Sequence, residues 1–498
     1  MQFGTDGVRG IIDEEFTEET VEVLTRAVCR MLSRDGRNGS LTIDLGGKII
    51  VQPFARRLIA GYDRRRRSDE FAGIAADVAS QEGFETLLAD RAASTPALSY
   101  AVKSNKADGA IVITASHNPP EFNGLKFKPF YAGSSVEEVT GPIEAELNAL
   151  QDGNSDRPIW MGKGSVGKFN PATDYIEALR GIVDIEAITD SGLHLIFDPI
   201  HGAAAGMFGA IFDGAPPQAG LEVDEIRGER DINFGGVNPE PLKENLGPLI
   251  DAVIAAGDGA VGIATDGDGD RLGVVGSGGV FYSSQVIFPL LMRHLIQHRG
   301  KHSGVARTFS VSELVDAIGA KHGVPVYEEP IGFKYLAAHL VKGDVFLGGE
   351  ESGGIGFDLL IPERCGVMAA LILLEACAER GKDVNGMADE LFAEYGAYYA
   401  DRIDLPISRK VSRGEVKDAV QSYGPRYFAK FRPRRIYSFD GTKINFSPRG
   451  FILFRPSGTE PMLRIYAETD SAGGTAELLN MGRMMLSEKT DLLQSPEN

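Results

Sequence analysis

The sequence predicts an α/β protein of several domains, and three observations carry that reading. Apolar runs of strand length alternate with amphipathic stretches along most of the chain. The 498 residues exceed what one hydrophobic core serves and suit about three to four domains. Towards the C-terminus the alternation gives way to strands in succession.

Taken in order, Thr20–Leu32 reads as an amphipathic helix, and Ala110–Thr114 (AIVIT) as a strand buried on both faces. Leu193–Phe197 and Val261–Thr265 repeat the strand pattern, with the amphipathic Leu246–Ala256 between them, and Val345–Leu347 is a further short strand. Continuous apolar runs of this kind belong to parallel or mixed sheets. Arg435–Phe439, Thr442–Phe446, Phe451–Phe454 and Leu463–Glu468 then follow one another, which predicts a smaller C-terminal α+β domain. Polar and glycine-rich punctuation at Gln151–Pro158, Ser277–Gly279 and Glu394–Leu405 divides the chain into residues 1–155, 156–277, 278–394 and 395–498.

Composition removes several function classes. With 51 Lys and Arg against 70 Asp and Glu, the net charge of −19 argues against a nucleic-acid partner, which calls for a basic face. No basic start with an apolar segment opens the chain and no apolar stretch reaches 18 residues, so neither secretion nor a membrane span is expected. Cys29, Cys365 and Cys377 are too few and too scattered for a disulfide framework or a four-ligand zinc site, which favours a reducing, cytoplasmic setting. The 61 glycines cluster between apolar runs, where they allow backbone to approach a ligand.

Four polar loops, each following an apolar strand, carry the chemistry. In Thr265–Arg271 (TDGDGDR), Asp266, Asp268 and Asp270 alternate with glycine, so an extended chain would place three carboxylates on one face. Neighbours ~6.5 Å apart repel by roughly 2–3 kcal/mol at an effective dielectric near 20, and a divalent cation relieves this. Arg271 and Ser277 stand where a calcium loop needs glycine and glutamate, so magnesium fits better. Thr114–Pro119 (TASHNP) exposes Ser116 at a strand end, as a nucleophile, a phosphate carrier or a helix-capping serine. His117 is a catalytic candidate beside it, although adjacent residues on an extended chain face opposite ways. Asn123–Lys126 could turn the Lys126 ammonium back towards this loop.

Arg455–Pro461 (RPSGTEP) with Arg464 offers backbone N–H groups at Gly458, hydroxyls from Ser457 and Thr459, and two guanidinium forks, a plausible phosphate cradle. Gly348–Gly354 (GGEESGG) presents Glu350, Glu351 and Ser352, acceptors suited to sugar hydroxyls or a plain acidic turn. In open α/β sheets ligands bind beyond the carboxyl ends of strands, so the four loops are expected to converge on one interdomain cleft. The G-x-G-x-x-G matches at Gly162–Gly167 and Gly257–Gly262 lack the strand-to-helix context of a dinucleotide site, the first following only a doubtful strand at Pro158–Met161. The basic run Arg64–Arg67 reads as a solvated turn, with room for one arginine near an anionic ligand, rather than a nucleic-acid contact.

With Phe3–Gly10 (FGTDGVRG), TASHNP, TDGDGDR, GEESGG and RPSGTEP in that order, the chain resembles the α-D-phosphohexomutase family from end to end. Gly61–Ala72, Thr95–Val102, Asp231–Pro241 and Pro330–Tyr335 add to the match. The resemblance implies a heart-shaped molecule of three related α/β domains with mixed sheets and a smaller fourth domain, each giving one loop to a central cleft. It implies that Ser116 carries a phosphoryl group and that Asp266, Asp268, Asp270 and an oxygen on Ser116 hold Mg2+. A hexose 1,6-bisphosphate would be intermediate and activator, so that phosphate moves between O1 and O6.

By the same resemblance, Lys126 and Arg9 serve acid–base and charge-stabilising roles, and Arg271 steadies the transferring group. Glu350, Ser352 and Lys334 read sugar hydroxyls, while Arg455, Ser457, Gly458, Thr459 and Arg464 hold the phosphate that is not reacting. Three positions depart from the pattern: Arg64 replaces a threonine, Cys365 in PERCG replaces an aspartate, and Gly354 replaces a histidine of the bifunctional members. Leu41–Phe54 is also longer than usual. The expected substrate is glucose phosphate, with mannose phosphate also accepted; glucosamine phosphate is the runner-up. A metal-dependent sugar phosphatase and a non-catalytic phosphosugar-binding protein are the readings from other classes, and the expected state is monomer or homodimer.

Overall fold

The computed structural model describes residues 7–152, 162–214, 220–407, 409–457 and 461–489. They form two compact units, Met1–Ala306 with Gly332–Met387, and Arg307–Ile331 with Ala388–Asn498.

In the larger unit the fully buried run Gly109–Ile113 lies inside a six-stranded sheet. The order is Val8–Ile11, Phe122–Pro129, Gly109–Ile113, Arg57–Tyr62, Glu85–Ala89, Ser165–Phe169. The first two pairings are antiparallel and the other three parallel, so the sheet is mixed, as expected. The helix Glu18–Asp35 covers it because Val21, Leu24, Val28 and Leu32 recur at helical spacing and bury one stripe. The Thr17 hydroxyl caps that helix, accepting from the Thr20 N–H at 3.3 Å. Ser165–Phe169 extends this first sheet past the boundary expected at residue 155, because it pairs in parallel with Glu85–Ala89. The doubtful strand at residues 158–161 lies outside the described residues.

A second mixed sheet runs Glu222–Glu225, His194–Asp198, Ala260–Thr265, Leu272–Gly276, Val280–Tyr282. Its first three strands are parallel and its last two antiparallel. Gly257–Gly262 leads into a strand here rather than into a helix. Leu347–Gly349 and Ile355–Phe357 form a further antiparallel pair in this unit. The long segment 41–54 is an added hairpin, Ser40–Leu45 with Lys48–Pro53, whose turn glycines Gly46 and Gly47 take φ of 65° and 95°. Leu41, Ile43 and Leu45 point into the core, while Ile49 and Val51 are exposed.

The smaller unit contains a five-stranded antiparallel sheet: Tyr399–Pro406, Met462–Thr469, Phe451–Pro456, Thr442–Phe446, Pro433–Ser438. Helices Arg413–Tyr427 and Ala472–Lys489 pack on it, and Ile444, Ile452, Phe454 and Ile465 lie in their shared core. Part of the Glu394–Leu405 punctuation is therefore edge strand rather than linker. Among the described residues no helix is long and apolar enough to cross a membrane.

One placement recurs. Each polar loop joins two antiparallel neighbours: Gly109–Ile113 to Phe122–Pro129, Ala260–Thr265 to Leu272–Gly276, Leu347–Gly349 to Ile355–Phe357, and Phe451–Pro456 to Met462–Thr469.

Candidate active site

Ser116 leaves its strand in a left-handed conformation, φ 53°, rare for a residue with a β-carbon and held here by its surroundings. Its N–H donates to Thr114 Oγ1 at 2.9 Å, and that hydroxyl donates to the buried Asp63 carboxylate at 2.6 Å. Arg65 completes the support. Its guanidinium donates to the carbonyls of Ser116 (2.7 Å), Asn118 (2.6 Å), Pro119 (2.8 Å) and Phe122 (3.0 Å), pairs with Asp63 at 3.3 Å, and lies over the Phe234 ring. The run Arg64–Arg67 is therefore not a solvated turn throughout: Arg65 is fully buried, because only a five-donor fork satisfies so many loop carbonyls. Arg66 and Arg67 pair with Asp13.

The aspartate loop is not extended. It folds as a turn at Gly269 (φ 74°), and the turn gathers the three carboxylates so that one oxygen from each lies within 4.8 Å of the others. Asp266 accepts from Ser116 Oγ at 2.7 Å, and its other oxygen accepts from the N–H groups of Asp270 and Arg271 at 2.9 and 3.1 Å. Asp268 accepts from Thr95 Oγ1 at 2.6 Å and from Lys126 Nζ at 2.8 Å. Asp270 accepts from Arg364 at 2.8 Å and from Lys126 at 3.3 Å. Burial, with Asp270 and Asp268 beside it, pushes the Asp266 carboxyl well above its ordinary value. Burial acts the same way on Asp268, but Lys126 outweighs it and holds that carboxyl low.

Asp268 Oδ1 and Asp270 Oδ1 are buried and have no hydrogen-bond partner among the described residues. Orphaned carboxylate oxygens beside a third carboxylate are donors suited to a hard divalent cation, so this residue set fits magnesium.

The loops touch backbone to backbone. A β-carbon on Gly267 would sit 2.5 Å from the Ser116 carbonyl, and one on Gly353 would sit 2.6 Å from the Leu272 carbonyl. The Glu350 loop joins the aspartate loop through the Arg271–Gly354 bridge and the Leu272 N–H to Gly353 carbonyl bond of 3.0 Å. Arg364 ties the two chemically, donating to Glu350 at 3.1 Å as well as to Asp270. Burial raises the Glu350 carboxyl even with Arg364 and Arg271 nearby.

Arg9 sits on the strand paired with Phe122–Pro129 and donates to Asn118 Oδ1 at 2.7 Å. His117 Nδ1 lies 3.4 Å from Ser116 Oγ; burial, together with Arg271, Arg9 and Lys126, lowers its pKa well below the usual range, so the ring is neutral. Arg271 donates to Glu240 at 2.6 Å, and Ser352 is half-buried. Lys334 lies 3.5 Å from Glu137 and over the Tyr335 ring.

In the smaller unit Arg455 and Arg464 are direct cross-strand partners, balanced by Asp440 at 3.1 Å and Asp404 at 3.4 Å. The Ser457 N–H donates to the Met462 carbonyl at 2.8 Å, while residues 458–460, with Gly458 and Thr459, lie outside the described residues. Ser116, His117, Lys126, Arg9, the three aspartates, Arg271 and Glu350 thus belong to one hydrogen-bonded neighbourhood of the larger unit.

Sequence reasoning missed Arg65, Arg364 and Thr95. Arg364 stands in the PERCG segment noted only for its cysteine, and Thr95 opens TPALSYAV. Cys365 takes over a capping role: its Sγ accepts from the Met368 N–H at 3.2 Å and lies 2.8 Å from the Tyr175 hydroxyl. Burial pushes its thiol up to about 11, so it stays protonated.

Comparison with known proteins decides what this neighbourhood belongs to. The phosphoglucomutase/phosphomannomutase α/β/α domains I, II and III match residues 1–153, 173–279 and 283–395, and the C-terminal domain of the same family matches 427–481. The chain belongs to this family. It is an isomerase of the α-D-phosphohexomutase class, with the four-domain α/β architecture of that class. A phosphoglucomutase/phosphomannomutase of Thermococcus kodakarensis is 30% identical over 98% of both chains. A phosphoglucosamine mutase of Caldanaerobacter subterraneus is 25% identical over 100% of this chain and 99% of its own. A crystal structure assigned as a phosphomannomutase from Thermus thermophilus has 30% identity and a TM-score of 0.81, covering 98% of this chain and 99% of that one.

Proposed function

We propose that this phosphohexomutase moves phosphate between O1 and O6 of glucose, accepts mannose as well, and uses Ser116 as its phosphoryl carrier. The observation that carries the reading is the 2.7 Å bond from Ser116 Oγ to Asp266, next to the two orphaned oxygens of Asp268 and Asp270. A hydroxyl held in a strained loop just past a strand end, beside a cation site and near Lys126 and Arg9, is equipped for phosphoryl transfer by positioning and electrostatics, although Ser116 is buried here and not exposed as the strand-end position suggests. Mg2+ would be held by Asp266, Asp268, Asp270 and a phosphate oxygen on Ser116, and when bound would neutralise charge on the transferring group.

The residues divide the remaining work. A hexose 1-phosphate presents its O6 hydroxyl to phosphorylated Ser116; the new O6–P bond forms as the Oγ–P bond breaks, and the hydroxyl proton passes to a neighbouring base. Lys126 is the group assigned to that proton and Arg9, which keeps its own protons, to the charge on the oxygens; His117 lies beside Oγ. The 1,6-bisphosphate turns over and returns its other phosphate to Ser116. Arg271 steadies the transferring group; Glu350, Ser352 and Lys334 read hydroxyls. The Arg455–Arg464 pair, with Ser457, Gly458 and Thr459, clamps the distal phosphate, since two guanidinium groups directly opposite on a sheet offer a phosphate several charged donors at once.

Glucose and mannose are favoured over glucosamine by the GEESGG loop and by the name of the 30%-identical relative; FGTDGVRG and the phosphoglucosamine mutase relatives favour the alternative. The enzyme is read as cytoplasmic, a monomer or homodimer. The test is turnover of glucose, mannose and glucosamine 1-phosphates with Mg2+ and catalytic 1,6-bisphosphate, in wild type and Ser116→Ala, following 6-phosphate and free phosphate. A Ser116-dependent 6-phosphate fastest from glucose is expected. Faster glucosamine turnover would move the assignment to phosphoglucosamine mutase, and free phosphate alone would overturn the mutase reading.

A further inference from the structure

A second cluster of metal-ligating side chains lies on two helices whose bodies take no part in the chemistry above. His294 and His298 stand one turn apart on the helix Ser284–Arg299, and Glu375 and Glu379 one turn apart on the facing helix Gly366–Arg380. Gly366, at the start of the second helix, touches the aspartate loop; Glu379 is about 20 Å further along the axis. The two imidazole rings stack with centroids 5.0 Å apart.

The hydrogen bonds of His294 fix its donor and acceptor sides. Its Nε2 lies 3.1 Å from Glu375 Oε2, and that carboxylate also accepts from Arg299 and from the Asp184 N–H at 2.9 Å. With Arg299 and the Asp184 N–H both donating to it, Glu375 meets His294 Nε2 as an acceptor, which places a ring proton on that nitrogen. His294 Nδ1 is then the open nitrogen. The residue is 1% exposed, and Nδ1 is buried without a hydrogen-bond partner among the described residues.

Its nearest acid is Glu379, whose Oε2 lies 3.7 Å from His294 Nδ1 and 2.8 Å from His298 Nδ1. A buried nitrogen lone pair facing a carboxylate oxygen leaves two acceptors with nothing between them.

We propose that His294 Nδ1, His298 Nδ1 and Glu379 form a binding site for a divalent transition-metal ion of the zinc class, with Glu375 fixing the His294 tautomer from behind. The three ligand atoms lie within 4.8 Å of one another. Two imidazoles and one carboxylate are a three-ligand zinc set, and a carboxylate behind a ligating histidine is the arrangement that orients such rings. Nitrogen donors select against Mg2+, so this site and the aspartate triad would sort the two ions. The fourth position opens to solvent, since the His298 and Glu379 side chains are 40% and 24% exposed. The ion clasps one helix to the other and stabilises the folded chain by mass action.

Cobalt(II) is the probe, titrated into the full-length protein in Mg2+ buffer and competed with zinc. One equivalent is expected to give the visible bands of a nitrogen-ligated, low-coordinate site, bleached by zinc, and zinc is expected to raise the melting temperature. His298→Ala, a change at a half-exposed position, should abolish the bands and the thermal shift; Asp266→Asn should retain both. Glu375→Gln should keep the bands and weaken zinc binding by about 10- to 100-fold. The proposal is overturned if wild type shows no bands, if they survive in His298→Ala, or if they are lost in Asp266→Asn, which would assign them to the triad.

Discussion

Arg65→Lys keeps the charge beneath the Ser116 loop and removes the fork. The guanidinium makes four bonds to carbonyls between residues 116 and 122, from two nitrogens pointing different ways. An ammonium has three protons on one atom and a shorter reach, so about two of the four bonds are lost. Each charged hydrogen bond is worth about 1.5–3 kcal/mol, which puts the destabilisation at roughly 3–6 kcal/mol. A loop freed to shift by ~1 Å costs on the order of 10²-fold in turnover when it carries the reacting atom. The expected outcome is a lowered melting temperature together with a fall in kcat of about 100-fold and little change in KM, read by 6-phosphate formation and by thermal denaturation of the same preparation. A variant with lowered stability but kcat within about twofold of wild type would refute the claim that Arg65 positions Ser116.

Gly267→Ala would drive a β-carbon to 2.5 Å from the Ser116 carbonyl; turnover is expected to fall by at least ~10-fold, and unchanged kinetics would show that the two loops can part freely. Arg464→Gln relieves a like-charge cross-strand pair, so stability should change by less than about 1 kcal/mol while KM for the phosphosugar rises at least ~10-fold; denaturant titration and saturation kinetics separate the two. Burial raises the Asp108 carboxyl to about 6, above its bonds from the Ala55 and Arg57 N–H groups, against ~3.9 in an unfolded chain. Between those values the native state holds a proton that the unfolded chain has lost, so stability falls by about 3 kcal/mol as pH rises from 4 to 6 and this contribution is flat above. Asp108→Asn should remove that slope in unfolding curves at pH 4.5 and 6.5, and an unaltered slope would assign it elsewhere.

The residues legible in the sequence were polar groups placed directly after buried strands. Ser116, Asp266 and Glu350 announce themselves because nothing in strand packing asks for them, and Lys126 because Asn123 and Gly124 offer a turn back to the Ser116 loop; that it lies buried in a strand comes from the structure. Their convergence was inferred from a sheet rule; the geometry that achieves it for Asp266, Asp268 and Asp270 is a turn at Gly269, not the extended chain expected. Arg65 was hidden for the opposite reason. An arginine in a basic run looks solvated, since most arginines are, and its burial depends on carbonyls about 50 residues further on. Arg364 was masked by its neighbour, because Cys365 drew attention as a departure although its sulfur still caps the helix. Ser165–Phe169 was assigned by punctuation, and turn residues report where a chain bends, not which sheet it rejoins.

The division of the smaller unit between Arg307–Ile331 and Ala388–Asn498 sets an order of events during synthesis. Glu313 accepts from Asn445 Nδ2 and from the Gly450 N–H, and the Phe309 carbonyl accepts from Lys443 Nζ, partners 132 to 137 residues away. At about 5–20 residues per second, the early segment waits roughly 7 to 27 s on the ribosome before they emerge. Throughout that interval Phe309 lacks the Phe451, Leu453 and Tyr466 side chains that cover it, so a nascent chain stalled before residue 388 is the species from which a chaperone has most to shield.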